Sequence, residues 1–160
     1  MFGVCYYPEH WPQAQWDKDA AMMADLGLTY VHIGEFAWSR LEPKPGEYNF
    51  DWLDDAVDCL TNAGLKVVIG TPTATPPKWL IDQHPEILPV DPDTGRTRGF
   101  GSRRHYDFSS AVYLRESLRI TEALAKRYGN HVNVVGWQTD NELCCHDTAL
   151  SGSGLAREGF

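Results

Sequence analysis

The sequence predicts an α/β fold, the first half of a (β/α)8 barrel, with residues 1–160 forming one structural unit. Three observations predict it. Short β-branched runs alternate with one-sided helical patterns, which is the signature of a parallel sheet. The loop after the first run, Tyr6-Tyr7-Pro8-Glu9-His10-Trp11-Pro12, lacks the glycine-rich turn of a doubly wound nucleotide-binding sheet. Several runs also end in polar and aromatic residues, as loops around one rim of a barrel would.

The elements follow in order. A first strand over residues 3–7 leads to a helix over 17–26, closed by Gly27 in the position of a helix C′ residue. A second strand over 29–34 precedes a helix over 52–62, with Asp51 as N-cap and Leu53, Ala56, Val57 and Leu60 on one face. The third strand, 66–71, opens a connection to residue 110 that holds a short helix over 78–83; a connection of that length is uncommon unless it serves a site. A long helix over 111–128 follows, with Leu114, Leu118, Thr121, Ala125 and Tyr128 tracing a stripe and Gly129 ending it. The fourth strand, 132–138, reads as buried. The tail Ser151-Gly152-Ser153-Gly154 reads as loop. Half a barrel leaves two open sheet edges and an apolar inner face, so further βα units are expected beyond this chain.

Composition narrows the function classes. With 42% hydrophobic and 22% charged residues the chain is an ordinary globular one, and its formal charge of -8 argues against a nucleic-acid or anionic-membrane partner. No apolar run approaches a membrane span and no leader pattern follows Met1, which gives a cytoplasmic expectation. The aromatic share of 12% suits stacking on sugar rings as well as core packing. Cys5, Cys59, Cys144 and Cys145 show neither disulfide nor zinc-knuckle spacing, and adjacent side chains in Cys144-Cys145-His146-Asp147 rarely converge on one ion, so no metal or cofactor is expected.

The strongest chemical signal is Val132-Asn133-Val134-Val135-Gly136-Trp137-Gln138-Thr139-Asp140-Asn141-Glu142, where an apolar run stops in amides and carboxylates. A carboxyl group held at a rigid strand end and half shielded from water is suited to proton donation, which makes Glu142 the first catalytic candidate. The bland alternative is a turn or helix cap, since Asp and Asn favour both. In the long connection, Arg103 or Arg104 can donate to sugar hydroxyls or steady a carboxylate. Equally, the two can be plain surface arginines.

Taken together, Tyr6-Tyr7-Pro8-Glu9-His10-Trp11-Pro12, Gly34-Glu35-Phe36-Ala37-Trp38-Ser39-Arg40-Leu41-Glu42-Pro43, Arg103-Arg104-His105-Tyr106 and Trp137-Gln138-Thr139-Asp140-Asn141-Glu142 closely resemble the start of the glycoside hydrolase family 42 β-galactosidases. The resemblance runs from Phe2 to about Thr148. It implies a TIM barrel with further domains, and hydrolysis of terminal non-reducing β-D-galactosyl residues with retention. It also implies Glu142 as general acid/base, Asn141 as the neighbour binding the sugar near its 2-hydroxyl, and Arg103 as an arginine of the galactose subsite. Glu35, Trp38 and His105 lie in matching segments without assigned contacts. The family often forms trimers.

Two departures bear on function. The family nucleophile is a glutamate on a later strand, beyond Phe160; nothing places Glu35, Glu42 or Glu86 opposite Glu142, so the isolated chain is expected to be inactive. Some family members hold zinc through four cysteines, and the aligned positions here are Asp107, Ser151, Ser153 and Ala156, so no structural zinc is expected there. Two other readings stay open: a retaining glycosidase for another β-glycoside, and a noncatalytic sugar-binding half-barrel or remnant.

Overall fold

Each apolar run pairs with the next because a helix lies between them in sequence and carries the chain back to the start of the sheet. The computed structural model describes residues 2–101, 103–143, 145 and 150–159. Strands β1 (Gly3–Cys5), β2 (Tyr30–Ile33), β3 (Lys66–Gly70) and β4 (Val134–Gln138) form one parallel sheet in the order β1-β2-β3-β4. Helix α1 (Gln13–Asp25) joins the first two strands, α2 (Trp38–Leu41) and α3 (Asp51–Asn62) the next two, and α4 (Lys78–Gln83) and α5 (Ala111–Tyr128) the last two; α6 (Gly154–Gly159) comes after β4.

The core lies between one face of this sheet and the helices. Val31 and Ile33 of β2 and Val67 and Ile69 of β3 alternate along their strands and are fully buried against Leu53, Val57 and Leu60 of α3 and Ile120 and Leu124 of α5. Each such side chain contributes about 1.5–3 kcal/mol of burial, so the two central strands anchor the unit. The flanks differ. Every residue of β1 is exposed, and Val135 and Trp137 of β4 are also exposed. Among the described residues β3 alone pairs with the fourth strand, which makes β4 one of the two open sheet edges expected of half a barrel.

Other expectations shift by small amounts. Helix α1 begins at Gln13, four residues early, and Asp51 sits in the first turn of α3, where it and Asp54 face the positive end of the helix, and does not cap it. Ser110 caps α5, its Oγ accepting from the Tyr113 amide at 3.2 Å. The predicted stripe on α5 is displaced. Leu114 and Leu118 are exposed, and the buried face is Tyr113, Ser117, Ile120, Leu124 and Tyr128. The Tyr113 hydroxyl donates to the Thr73 carbonyl, so hydrogen bonding at the strand ends chose the face that apolar counting missed. The tail is loop over Ser151 to Ser153 as expected, and α6 starts at Gly154.

One buried carboxylate ties the segment after α2 to α5. Glu42, fully buried, accepts from the Trp38 indole at 3.0 Å, the Gly46 amide at 2.6 Å and the Arg119 guanidinium at 2.7 Å. Glu42→Ala takes the acceptor from the Trp38 indole and the Gly46 amide and leaves Arg119 with Glu116 and Tyr48, and urea unfolding is expected to show a loss of about 3 kcal/mol. Glu42→Gln, which keeps an acceptor, should lose less; equal losses would refute this account.

Candidate active site

Three segments meet at the C-terminal ends of β3 and β4: the turn after β4 with Asp140, Asn141 and Glu142, the Thr71-Pro72-Thr73 step after β3, and Arg103 to Tyr106 of the long connection. Parallel pairing continues past the strands, since the Thr71 amide donates to the Gln138 carbonyl at 2.8 Å. The Thr71 hydroxyl then takes the Asp140 amide at 2.7 Å. This fixes where the turn begins.

Asp140 is the hub. Its carboxylate accepts from the Tyr106 hydroxyl at 2.9 and 3.0 Å, the Tyr113 hydroxyl at 3.2 Å, the Thr73 hydroxyl at 3.2 Å and the Asn141 amide at 2.6 Å. The Arg104 guanidinium stands 3.5 Å away and also donates to the Asn141 carbonyl. Burial, reinforced by the Asp140 charge, pushes the hydroxyls of Tyr106 and Tyr113 well above the ordinary phenol range. Both therefore remain donors at any working pH. The two rings stack with centroids 4.0 Å apart, which stiffens the pair.

The clamp has a reason. Arg104, Asp140 and Glu142 have φ of 61°, 59° and 44°, and they are the non-glycine residues with positive φ among those described. Such backbone costs on the order of 1–3 kcal/mol each and persists only when neighbours over-determine it. The Asp140 bonds supply that constraint, and the turn they enforce projects the Glu142 side chain away from the sheet end. Asn141 is held as well, its Oδ1 accepting from Gln138 Nε2 at 3.1 Å.

Arg103 comes to the same place from the long connection. Its Nη1 lies 3.4 Å from Glu142 Oε2, and its guanidinium sits 5.2 Å from the centre of the Phe36 ring, which stacks in turn on Tyr7. A pocket of about 320 Å³ opens beside it, lined by Phe36, Ser39, Thr75, Phe100, Arg103 and His105. A larger cavity of about 590 Å³ lies elsewhere, between Phe108 and the 150–159 segment.

The three predicted site residues are thus brought together, while the other candidates have different work. Arg104 is buried and braces the turn, so it is no surface residue. Trp38 packs inside on Glu42, and His105 Nε2 meets the Pro76 carbonyl at 3.0 Å. Glu35 is buried against Tyr7 and His32, and Glu86 pairs with His84 at 3.1 Å. The half-shielding expected for Glu142 agrees with its side chain, which is 47% exposed with Arg103 beside it. Asp107, Ser151, Ser153 and Ala156 do converge, but through hydrogen bonds; Ser153 donates to Asp107 and accepts from the Ala156 amide. Of the run 144–147, Cys144, His146 and Asp147 lie outside the described residues.

The strand-end Asn-Glu pair with an arginine at its carboxylate, on a half-barrel sheet, calls for comparison with barrel glycosidases. A glycoside hydrolase 42 family model, described as Beta-galactosidase, matches residues 5–158. The chain belongs to the glycoside hydrolase family 42 β-galactosidases. A β-galactosidase of Thermus thermophilus is 58% identical over 160 residues, covering all of this chain and 25% of that protein. The crystal structure of a family β-galactosidase from the psychrophilic Marinomonas ef1 superposes with a TM-score of 0.93 at 56% identity, over 96% of this chain and 23% of that one. The enzyme of the Antarctic haloarchaeon Halorubrum lacusprofundi superposes with a TM-score of 0.92 at 49% identity, over 97% and 23%. This chain spans about a quarter of the length of the family 42 relatives it matches, and its sheet is the first half of their barrel.

Sequence reasoning missed Asp140, Tyr106, Tyr113 and Thr73. Asp140 was readable only as a turn former, and its partners sit 27 to 67 residues away. The available signal was position: Thr73 follows the end of β3, the neighbour of the strand that carries Asp140.

Proposed function

We propose that this chain supplies the acid/base half of a retaining β-galactosidase acting on terminal non-reducing β-D-galactosyl residues. The observation that carries the reading is Glu142 on a strained turn at the end of β4, with Arg103 at 3.4 Å and Asn141 beside it. Glu142 in its acid form protonates the departing glycosidic oxygen and afterwards, as carboxylate, activates water. The second carboxylate, about 5 Å across the sugar in a retaining site, comes from outside these 160 residues.

Arg103 fits a dual role. Its pair with Glu142 is open to solvent, 42% and 47% exposed, and exposed pairs are worth no more than about 1 kcal/mol. Sugar hydroxyls can therefore draw Arg103 away from Glu142. Asn141 binds near the 2-hydroxyl, where a hydrogen bond strengthens as charge develops at the anomeric carbon. Among the described residues no helix is long and apolar enough to cross a membrane; a cytoplasmic location is part of this proposal, and the family resemblance adds a homotrimer.

A chimera tests this. Replacing the matching quarter of the Thermus thermophilus relative with this chain is expected to give turnover of an aryl β-galactoside within about tenfold of the parent, with β-galactose as first product by NMR. The 160 residues alone should give none, since a carboxylate of the pair is missing. Turnover by the isolated chain, or faster hydrolysis of glucoside than galactoside by the chimera, would overturn the reading.

A further inference from the structure

Parallel pairing places Cys5, the last residue of β1, opposite His32 of β2, and Glu35 follows two residues after that strand. The three side chains meet on the sheet face opposite Val31 and Ile33. His32 Nδ1 lies 3.5 Å from Cys5 Sγ and 3.3 Å from Glu35 Oε2, and the three donor atoms all lie within 4.8 Å of one another. We propose that Cys5, His32 and Glu35 form a binding site for a zinc-type divalent cation, which nothing in the galactosidase reading requires.

The spacing of the donors is the first argument. A tetrahedral zinc ion with bonds of about 2.3 Å to sulfur, 2.0–2.1 Å to nitrogen and 2.0–2.2 Å to oxygen sets a sulfur–nitrogen edge of about 3.5 Å and a nitrogen–oxygen edge of about 3.3–3.4 Å. The two separations measured from His32 Nδ1 match those edges. The Cys5–His32 separation is also that of a thiol hydrogen bond, but His32 Nδ1 to Glu35 Oε2 is longer than the about 2.8 Å that an imidazole N–H to a carboxylate prefers.

Orientation is the second. His32 Nε2 is buried without a partner and turned toward Gly70, where even a Cβ would stand only 2.7 Å away. Nδ1 is thus the nitrogen presented to the cluster. Glu35 is equally preset: its Oε1 accepts from the Tyr7 hydroxyl at 2.6 Å, which leaves Oε2 for a ligand. A hydroxyl bond to the far oxygen is how ligating carboxylates are commonly fixed.

Partial desolvation, helped by the Glu35 charge, pushes the Cys5 thiol up, and desolvation pushes His32 down. A divalent ion would stabilise the thiolate and use the free lone pair of the neutral imidazole. One sulfur, one nitrogen and one oxygen suit zinc or cobalt better than magnesium or calcium. Cys5 is exposed, which provides an entry path and a fourth position for solvent.

Cysteine spacing gives no sign of this cluster, because strand register brings Cys5 and His32 together. Cobalt(II) titration of the 160-residue chain under reducing conditions tests it. Expected are about one ion per chain, a thiolate-to-cobalt charge-transfer band, and displacement of that band by zinc. Cys5→Ser, isosteric and exposed, should abolish the band with an unchanged far-UV circular dichroism spectrum, and Glu35→Gln should weaken binding about tenfold or more. A Cys59→Ser and Cys145→Ser double variant should keep it. Absence of the band, or its survival in Cys5→Ser, would overturn the proposal.

Discussion

Glu142→Gln in the chimeric enzyme is expected to lower kcat on alkyl β-galactosides by about 10²–10⁴-fold, the range for a lost general acid/base. The effect should depend on the leaving group. An alkoxide needs the proton that Gln cannot supply, whereas an activated phenolate departs unaided, so an aryl galactoside loses less in the first step. In the second step the base is missing as well. A small anion such as azide needs no deprotonation, so adding it should restore turnover and yield β-galactosyl azide. A Gln variant with undiminished alkyl galactoside turnover would remove Glu142 from the reaction.

That Glu142 stood out in the sequence, and Asp140 did not, shows where legibility ends. Strands β2 and β3 were visible because Val31, Ile33, Val67 and Ile69 alternate and are all buried. The long helix was visible to the residue, over 111–128. Its buried face was not, since Tyr113 and Ser117 outrank Leu114 and Leu118 only once the β3 end is in place to receive the Tyr113 hydroxyl. The same limit hid the partners of Asp140 and the meeting of Cys5 with His32. Local patterns disclose which residues can act; register decides which of them meet.

Register also sets the last prediction. Asp140→Ala in the chimera is expected to lower kcat about 10²-fold with little change in KM, and to destabilise by about 3 kcal/mol. The hydroxyls of Tyr106 and Thr73 would lose this acceptor and the buried Arg104 guanidinium its counter-charge, and the turn at φ 59° and 44° would relax toward ordinary backbone. Relaxation moves Glu142, and a displacement of about 1 Å is enough for a loss of that size. Asp140→Asn, which keeps one acceptor oxygen, should fall between. General damage and lost positioning separate in a double-mutant cycle. If Asp140 acts through Glu142, Asp140→Ala should reproduce the leaving-group dependence of Glu142→Gln, and the double variant should be no slower than Glu142→Gln alone. Additive losses, or equal losses on alkyl and aryl substrates, would show that Asp140 supports the fold and does not position the acid.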